Sequence, residues 1–254
     1  MNDILCSTEN GVMTLTINRP DKKNSLTLAM YKALADHLEQ AQADAEVRVV
    51  VLQGHPQIFS AGNDIADFLS LSGSVQDSPI TRFLRTVATF PKPLVAAVSG
   101  AAVGIGTTML LHCDLVYASD TALFSLPFVD LGLCPEAASS LLLPQRLGHQ
   151  RASAALLLGE PLSAQAALDA GLVNAVVPTE EVTALAQAQA QKLAAKPLGA
   201  VLETKRLIKE GQQQAVLTHM GAEEAVFGRL LREPAAREAF TAFLEKRRPD
   251  FRGL

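Results

Sequence analysis

The apolar residues change period along this chain. Residues 3–7 and 11–18 read as two short strands around Glu9-Asn10-Gly11, a hairpin turn signal, with Val12, Leu15 and Ile17 as the apolar positions of the second. Asn18-Arg19-Pro20-Asp21-Lys22-Lys23-Asn24 is a polar loop. Behind it, Thr27 is placed to cap a helix over about 28–44, where Leu28, Tyr31, Leu34, Ala35 and Leu38 recur at helical spacing. Val47-Arg48-Val49-Val50-Val51-Leu52 is the β-branched run expected of a buried strand. The next stretch, Gly54 to Ile65, holds too much Gly, Pro and Asn for a regular element. It sits at the C-terminal end of a buried strand, where ligand loops gather in α/β proteins.

Further along, 66–78 is rich in Ser and Gly and reads as a mobile segment. A helix at 79–90 ends before Pro91-Lys92-Pro93, a strand covers 94–98, and a helix follows at about 105–112. Residues 114–118 and 122–124 read as two more short strands. Pro127 to Glu136 forms a second irregular loop. Pro135 stands where proline is welcome at a helix start, with Ala137 to Leu143 continuing helically. After a helix at 150–158, Ser163 caps another over 164–170, and 174–177 is a short strand or extended link. Helices are then expected at 180–195, 198–211, 215–231 and 235–247. The pattern divides the chain into a mixed core, 1–195, and a helical region, 196–254. Strand-plus-helix units recur through the first 180 residues without a strict repeat, as in a spiral of similar turns.

The centre of the pattern is Val95-Ala96-Ala97-Val98-Ser99-Gly100-Ala101-Ala102-Val103-Gly104-Ile105-Gly106: an apolar run, a loop with three glycines, then a helix. Glycine clears side chains from the backbone, and a first helical turn offers unpaired N–H donors with partial positive charge. A group that is anionic, or becomes so during a reaction, fits there. Close packing of helix on strand explains the same small residues.

Composition narrows the choice. Hydrophobic residues make up 48% and aromatics 5%, so the core must be aliphatic. A net charge of −4 offers no broad positive field to nucleic acid. No apolar run approaches a membrane span, and the start has no signal-peptide pattern. Cys6, Cys113 and Cys134 are few and scattered, with neither disulfide nor metal spacing, as in a reduced cytoplasmic protein.

Three pieces now stand in order: Phe59-Ser60-Ala61-Gly62-Asn63-Asp64-Ile65; Pro91 to Gly106; and Cys113-Asp114-Leu115-Val116-Tyr117-Ala118-Ser119. With Asp169-Ala170-Gly171-Leu172-Val173-Asn174, they resemble the crotonase superfamily, the enoyl-CoA hydratase/isomerase group, over nearly the whole chain. The resemblance implies an α/β fold, a spiral of ββα turns whose C-terminal helices drive assembly into homotrimers or hexamers. It implies an acyl-CoA thioester as substrate, with no metal and no redox cofactor. It also implies an oxyanion hole of two backbone amides, by position those of Ala61 and Ile105. Substrate and CoA contacts would come from Ser60, Ala61, Gly62, Asn63, Asp64 and Ile65, largely through backbone atoms, and from Lys22, Gly104 and Phe128.

The chain departs from the hydratase pattern. The two glutamates of similar hydratases fall at Thr108 and Phe128, neither of which can activate water at neutral pH. One carboxylate remains, Glu136, in Leu133-Cys134-Pro135-Glu136-Ala137, a stretch similar to peroxisomal-type Δ3,Δ2-enoyl-CoA isomerases, in which that glutamate is the base. One carboxylate suffices to move a proton from C2 to C4 of a 3-enoyl thioester. The competing reading of Glu136 is structural: a glutamate in a first helical turn suits the dipole. That position would also lower its pKa unless Phe128, Leu126 and Leu133 desolvate it. A hydratase-like reaction and a non-catalytic acyl-CoA binding protein stay open as alternatives.

Among the remaining candidates, Asp64 is expected to cap the helix after Asn63. His112-Cys113-Asp114 lacks the arrangement of a triad. His55, His149 and His219 read as surface or loop histidines. Lys246-Arg247-Arg248 with Arg252 reads as a solvated helix end or as a site near a neighbour's CoA phosphate.

Overall fold

A computed structural model describes residues 3–69 and 78–254. Strands β1 (Ile4–Glu9) and β2 (Val12–Ile17) form the expected hairpin. Asn10 and Gly11 take positive φ, as a two-residue turn matched to strand twist requires. β3 (Val49–Gln53), β5 (Leu94–Val98), β7 (Leu115–Ser119) and β10 (Ala175–Val177) complete a six-stranded sheet in the order β1-β2-β3-β5-β7-β10, parallel after the hairpin. A second sheet runs β4 (Ile58–Ser60), β6 (Ala101–Val103), β8 (Leu123–Ser125), β9 (Leu162–Ser163). Each successive turn of chain leaves a long strand in the first sheet and a short one in the second. This is the spiral of ββα turns.

The central strands of the large sheet, β3, β5 and β7, are buried on both faces, which is why they read as apolar runs. Val49, Val51, Val95 and Ala97 face α8 (Val182–Ala194), which meets them through Val182, Ala186, Ala190 and Ala194, small side chains at four-residue spacing. Val50, Leu52, Leu94, Ala96 and Val98 point the other way, into the main core with α1 (Leu28–Ala43) and α3 (Pro79–Thr89). The threonine cap holds: Thr27 Oγ1 accepts from Met30 N–H at 3.2 Å. Lys92 is buried, and its ammonium donates to the carbonyls of Ala41, Asp44 and Val47 at 2.6, 2.6 and 2.8 Å. It thereby closes the C-terminus of α1 beside the start of β5.

Several elements differ from expectation. The segment 66–78 begins with α2 (Ile65–Leu69), and its remainder up to residue 77 lies outside the described residues. The helix at the glycine loop is a single turn, α4 (Ile105–Thr108), continued as a 3-10 turn Met109–His112. Pro135 does not start a helix: α5 is Ser139–Leu147, preceded by Ala137 and Ala138 at φ 59° and 55°. α6 (His149–Leu157) and α7 (Ala164–Asp169) follow, the second capped by Ser163 Oγ, which accepts from Ala166 N–H at 3.2 Å. The two helices expected at 198–211 and 215–231 are one, α9 (Leu198–Leu230). An interior glycine, Gly211, costs about 1 kcal/mol, which the burial of Val216, Met220 and Phe227 outweighs. α10 (Pro234–Leu244) ends the helical region, and its Ala236 and Phe240 join the main core cluster. Among the described residues no helix is long and apolar enough to cross a membrane.

Gly100 turns the chain from β5 to β6 at φ +62°, and a Cβ there would meet the Gln57 carbonyl oxygen at 2.1 Å. Gly100→Ala is therefore expected to destabilise the protein by more than about 3 kcal/mol, from steric conflict plus left-handed strain. Denaturant unfolding measures this, and an unchanged midpoint would contradict the packing described.

Candidate active site

β4 and β6 are parallel neighbours, with Ser60 level with Ala102, so the loops that follow them leave the same edge of the small sheet. They touch: a Cβ on Gly62 would lie 3.0 Å from Val103 O, and one on Gly106 3.0 Å from Ser60 O. The loop after β4 is also fastened to the polar loop at 19–26. Asn24, fully buried in the left-handed region, donates from Nδ2 to the carbonyls of Ile58 and Phe59 at 3.1 and 3.2 Å. Ser60 Oγ donates to Asn24 O at 2.9 Å and accepts from Gly62 N–H at 3.2 Å. Leu26 N–H meets Gly62 O, and Asp64 N–H meets Leu26 O.

These bonds correct one expected donor. Ala61 N–H donates to Lys23 O at 3.0 Å and so is not free to hold an oxyanion. Among the described residues, the amide without an acceptor in this loop is that of Asn63, whose side-chain Oδ1 is held by the hydroxyl of buried Tyr31. The second expected donor differs in kind. Ile105 N–H is at the first position of α4, where no intrahelical acceptor exists. Gly104, at φ 55° and ψ −118°, aims it, in a conformation that a residue with Cβ adopts only under strain.

Both amides border a cleft of about 460 Å³. Its lining includes Ala61, Gly62, Asn63, Ile65, Gly104, Ile105 and Phe128, together with Phe227 of α9, Phe240 and Phe243 of α10, and Phe251 of the tail. Ser60, Asp64 and Lys22, expected as binding residues, lie outside this lining. The Ser60 hydroxyl is internal, and Lys22 is exposed in a 3-10 turn. Asp64 pairs with Arg19 at 2.8 Å and caps α2 by accepting from Asp67 N–H at 3.1 Å. Arg247 borders the cleft but is engaged by Glu238 and Glu245.

Glu136 is 8% exposed and lines a small cavity of about 20 Å³ that shares the Phe227 side chain with the cleft. Its Oε1 accepts from Thr108 Oγ1 at 3.0 Å, so the residue standing at a hydratase glutamate position holds this carboxylate. Glu136 precedes α5 rather than lying in its first turn, so the dipole that would favour its ionised form does not act as expected. Burial dominates and pushes its pKa up to about 7; the Thr108 hydroxyl opposes this, and the charge of Glu223 adds to it.

The turn behind Glu136 is strained. Two consecutive alanines in the left-handed region cost on the order of 1–2 kcal/mol each. His112 Nε2 lies 2.8 Å from Ala137 O and must donate, because a carbonyl only accepts. Burial holds the His112 pKa down to about 4, so the ring stays neutral. The neighbouring Cys113 thiol is pushed up to about 12, and Asp114 serves Leu94 N–H and Lys205, so this trio supplies no nucleophile. His219 is not a free surface histidine: its Nε2 lies 2.8 Å from Ser140 Oγ. Sequence reasoning missed Asn24 and Tyr31 as site supports. Nothing separates Asn24 from other loop polars, and Tyr31 fits an apolar helix face whether or not its hydroxyl has a task.

Two loops presenting backbone amides to a cleft on a ββα spiral define a crotonase-fold protein. The family model described as enoyl-CoA hydratase/isomerase matches residues 7–253, and the chain belongs to that family. It is 34% identical over 255 residues to 2,3-dehydroadipyl-CoA hydratase of Escherichia coli, covering 100% of both chains. It is 37% identical over 217 residues to enoyl-CoA delta isomerase 2 of Rattus norvegicus, covering 83% of this chain and 55% of that longer one. The crystal structure of an enoyl-CoA hydratase/isomerase from Pseudoalteromonas atlantica superposes with a TM-score of 0.94 at 42% identity, covering 98% of this chain and 100% of that one.

The buried carboxyl has a cost that pH exposes. Its pKa is about 7, above the ordinary 4.5, so between these values the folded chain holds a proton that the unfolded chain has lost. Stability therefore falls as pH rises through that window, by about 3 kcal/mol once complete. Glu136→Gln is expected to melt several degrees above the parent protein at pH 8 and alongside it at pH 4.5. Equal melting temperatures at pH 8 would mean that the carboxyl is not desolvated.

Proposed function

We propose that the protein is an acyl-CoA isomerase that converts a 3-enoyl-CoA to the 2-trans-enoyl-CoA. The observation that carries this reading is the buried carboxyl of Glu136, with its pKa near neutrality and no carboxylate at positions 108 and 128. A general base works best with its pKa near the working pH. The Glu136 carboxylate removes the proton from C2. The electron pair moves onto the thioester oxygen, giving a dienolate that the Asn63 and Ile105 amides stabilise. Each such donor contributes about 3–4 kcal/mol to barrier lowering. The protonated Glu136 then returns the proton to C4, and the double bond lies between C2 and C3. Proton and charge balance with one side chain, no ordered water and no cofactor.

Hydration of a 2-enoyl thioester is the second reading. The cavity that holds Glu136 also receives Glu224, whose buried Oε1 has no partner among the described residues. A cavity of that size admits one water. The two reactions are told apart by ultraviolet absorbance of the conjugated thioester: isomerisation makes it from 3-enoyl-CoA, hydration consumes it. Formation without consumption is expected. Consumption alone would establish the hydratase, and neither, with acyl-CoA bound, a binding protein.

Glu136→Gln is expected to abolish isomerisation while acyl-CoA binding, followed by calorimetry, survives. In the parent enzyme kcat/KM should rise with pH through about 7, because only the ionised carboxyl accepts the C2 proton. A flat profile from pH 5.5 to 8.5, or full turnover by the variant, would place the base elsewhere.

A further inference from the structure

Three buried carboxyls, Glu136, Glu223 and Glu224, border the same small cavity. Glu224 is answered by Arg85 at 2.9 Å. Glu223, on α9, is answered differently. It accepts from Ala138 N–H at 2.6 Å, from Ser140 N–H at 3.0 Å and from Ser140 Oγ at 2.5 Å. The Ser140 hydroxyl in turn accepts from His219 Nε2. All these partners donate to Glu223, the pattern of an ionised carboxylate, and they oppose the burial that raises its pKa above the ordinary value.

The positions of the donors matter. Ala138 is the N-cap of α5 and Ser140 its second residue. Alanine cannot cap a helix, so a side chain brought from α9 supplies the missing acceptor. The same bond restrains Ala138 in its left-handed conformation, as the His112 ring restrains Ala137. Left-handed alanines persist only when their surroundings hold them. Released, the two would relax toward ordinary helix, α5 would gain residues at its start, and Glu136, next in the chain, would turn with them.

We infer that Glu223 is a positioning residue: it clamps the Ala137-Ala138 turn that fixes Glu136 beside the cleft, and it sets a negative charge next to that carboxyl. The inference rests on Glu136 being the acid/base. The charge raises the pKa of Glu136 in the direction already described. The other charged or titratable groups around the pair are Tyr31 of α1, Arg85 of α3, His112, Cys134, and His219, Glu224 and Arg229 of α9. Among them Arg85 is engaged by Glu224, and His219 stands 3.8 Å from the Glu223 carboxylate.

The test is an infrared titration of carbon-13 glutamate carboxyls, with the Glu136 band assigned by its loss in Glu136→Gln. In Glu223→Gln the midpoint of that band should fall by half a pH unit or more. kcat should drop tenfold or more, with KM within threefold. Glu223→Asp keeps the charge on a shorter arm, so the midpoint should stay near that of the parent while kcat falls. A merely structural Glu223 would lower the active fraction and leave the midpoint in place, which would overturn the inference. Should Glu223→Gln fail to fold, Ser140→Ala removes one donor to Glu223; kcat should then fall several-fold at unchanged KM, and a parental kcat would overturn the clamp. The titration needs no turnover. Absence of isomerase activity in the parent would defeat the reading of Glu136 alone and still leave the charge effect measured.

Discussion

One carboxyl kept out of water organises the middle of this molecule. Among the described residues Glu136 gains one hydrogen bond, from Thr108, and no cation. A group so placed shifts toward its neutral form, because an isolated ionised carboxylate in apolar surroundings costs far more than a protonated one. The chain accepts that cost and adds another, two left-handed alanines immediately afterwards. Neither would survive in a loop free to relax. Both survive because the loop is clasped from three directions: Thr108 after the glycine loop, His112 at the end of the 3-10 turn, and Glu223 on α9.

That clasp explains why α9 is a single long helix. At one end Lys205 donates to Lys92 O and Asp114, and Lys209 donates to His112 O, tying the helix to the start of β5 and to the 3-10 turn. Near the other end it delivers Glu223 and Glu224 to the Glu136 cavity and Phe227 to the wall shared with the cleft. A break near Gly211 would let these two attachments move separately. The loop after β4 is held on the same plan with different atoms. Asn24 and Ser60 fix the loop after β4, and Tyr31 fixes Asn63 within it. Rigid supports let the Asn63 and Ile105 amides stay unpaired without the loops collapsing onto them.

Much of this architecture is readable from the amino-acid sequence alone. The Val49–Gln53 strand, the hairpin turn at Asn10-Gly11 and the Thr27 and Ser163 caps follow local rules that tertiary structure did not override. What escaped depends on partners distant in sequence. Pro135 looked like a helix start because proline suits that position; in fact α5 begins four residues later, since its capping acceptor comes from Glu223, far along the chain. Ala61 looked like a free amide because position in a motif does not reveal that Lys23 O lies against it. Glu136 was legible as a candidate, yet the sign of its pKa shift was not, because burial and helix dipole act in opposite directions and only the fold decides which applies.

Thr108 is the residue on which the choice of chemistry turns. A second carboxyl at that position would face Glu136 at hydrogen-bonding distance, and two such groups cannot both be ionised, so they would share a proton. Threonine donates instead. It stabilises the ionised form of Glu136 enough to keep the pKa near 7 rather than higher, and it fixes the rotamer of the carboxylate without competing for the proton. A base so held can take a proton and give the same one back, which is what a double-bond shift asks of it. Hydration asks for more, a water oriented and polarised beside the same carboxyl. Among the described residues the unpartnered oxygen in that cavity is Oε1 of Glu224, whose other oxygen, Oε2, is held by Arg85. The donor set around Glu136 is thus the ground on which a proton shuttle, rather than a water-activating pair, is proposed.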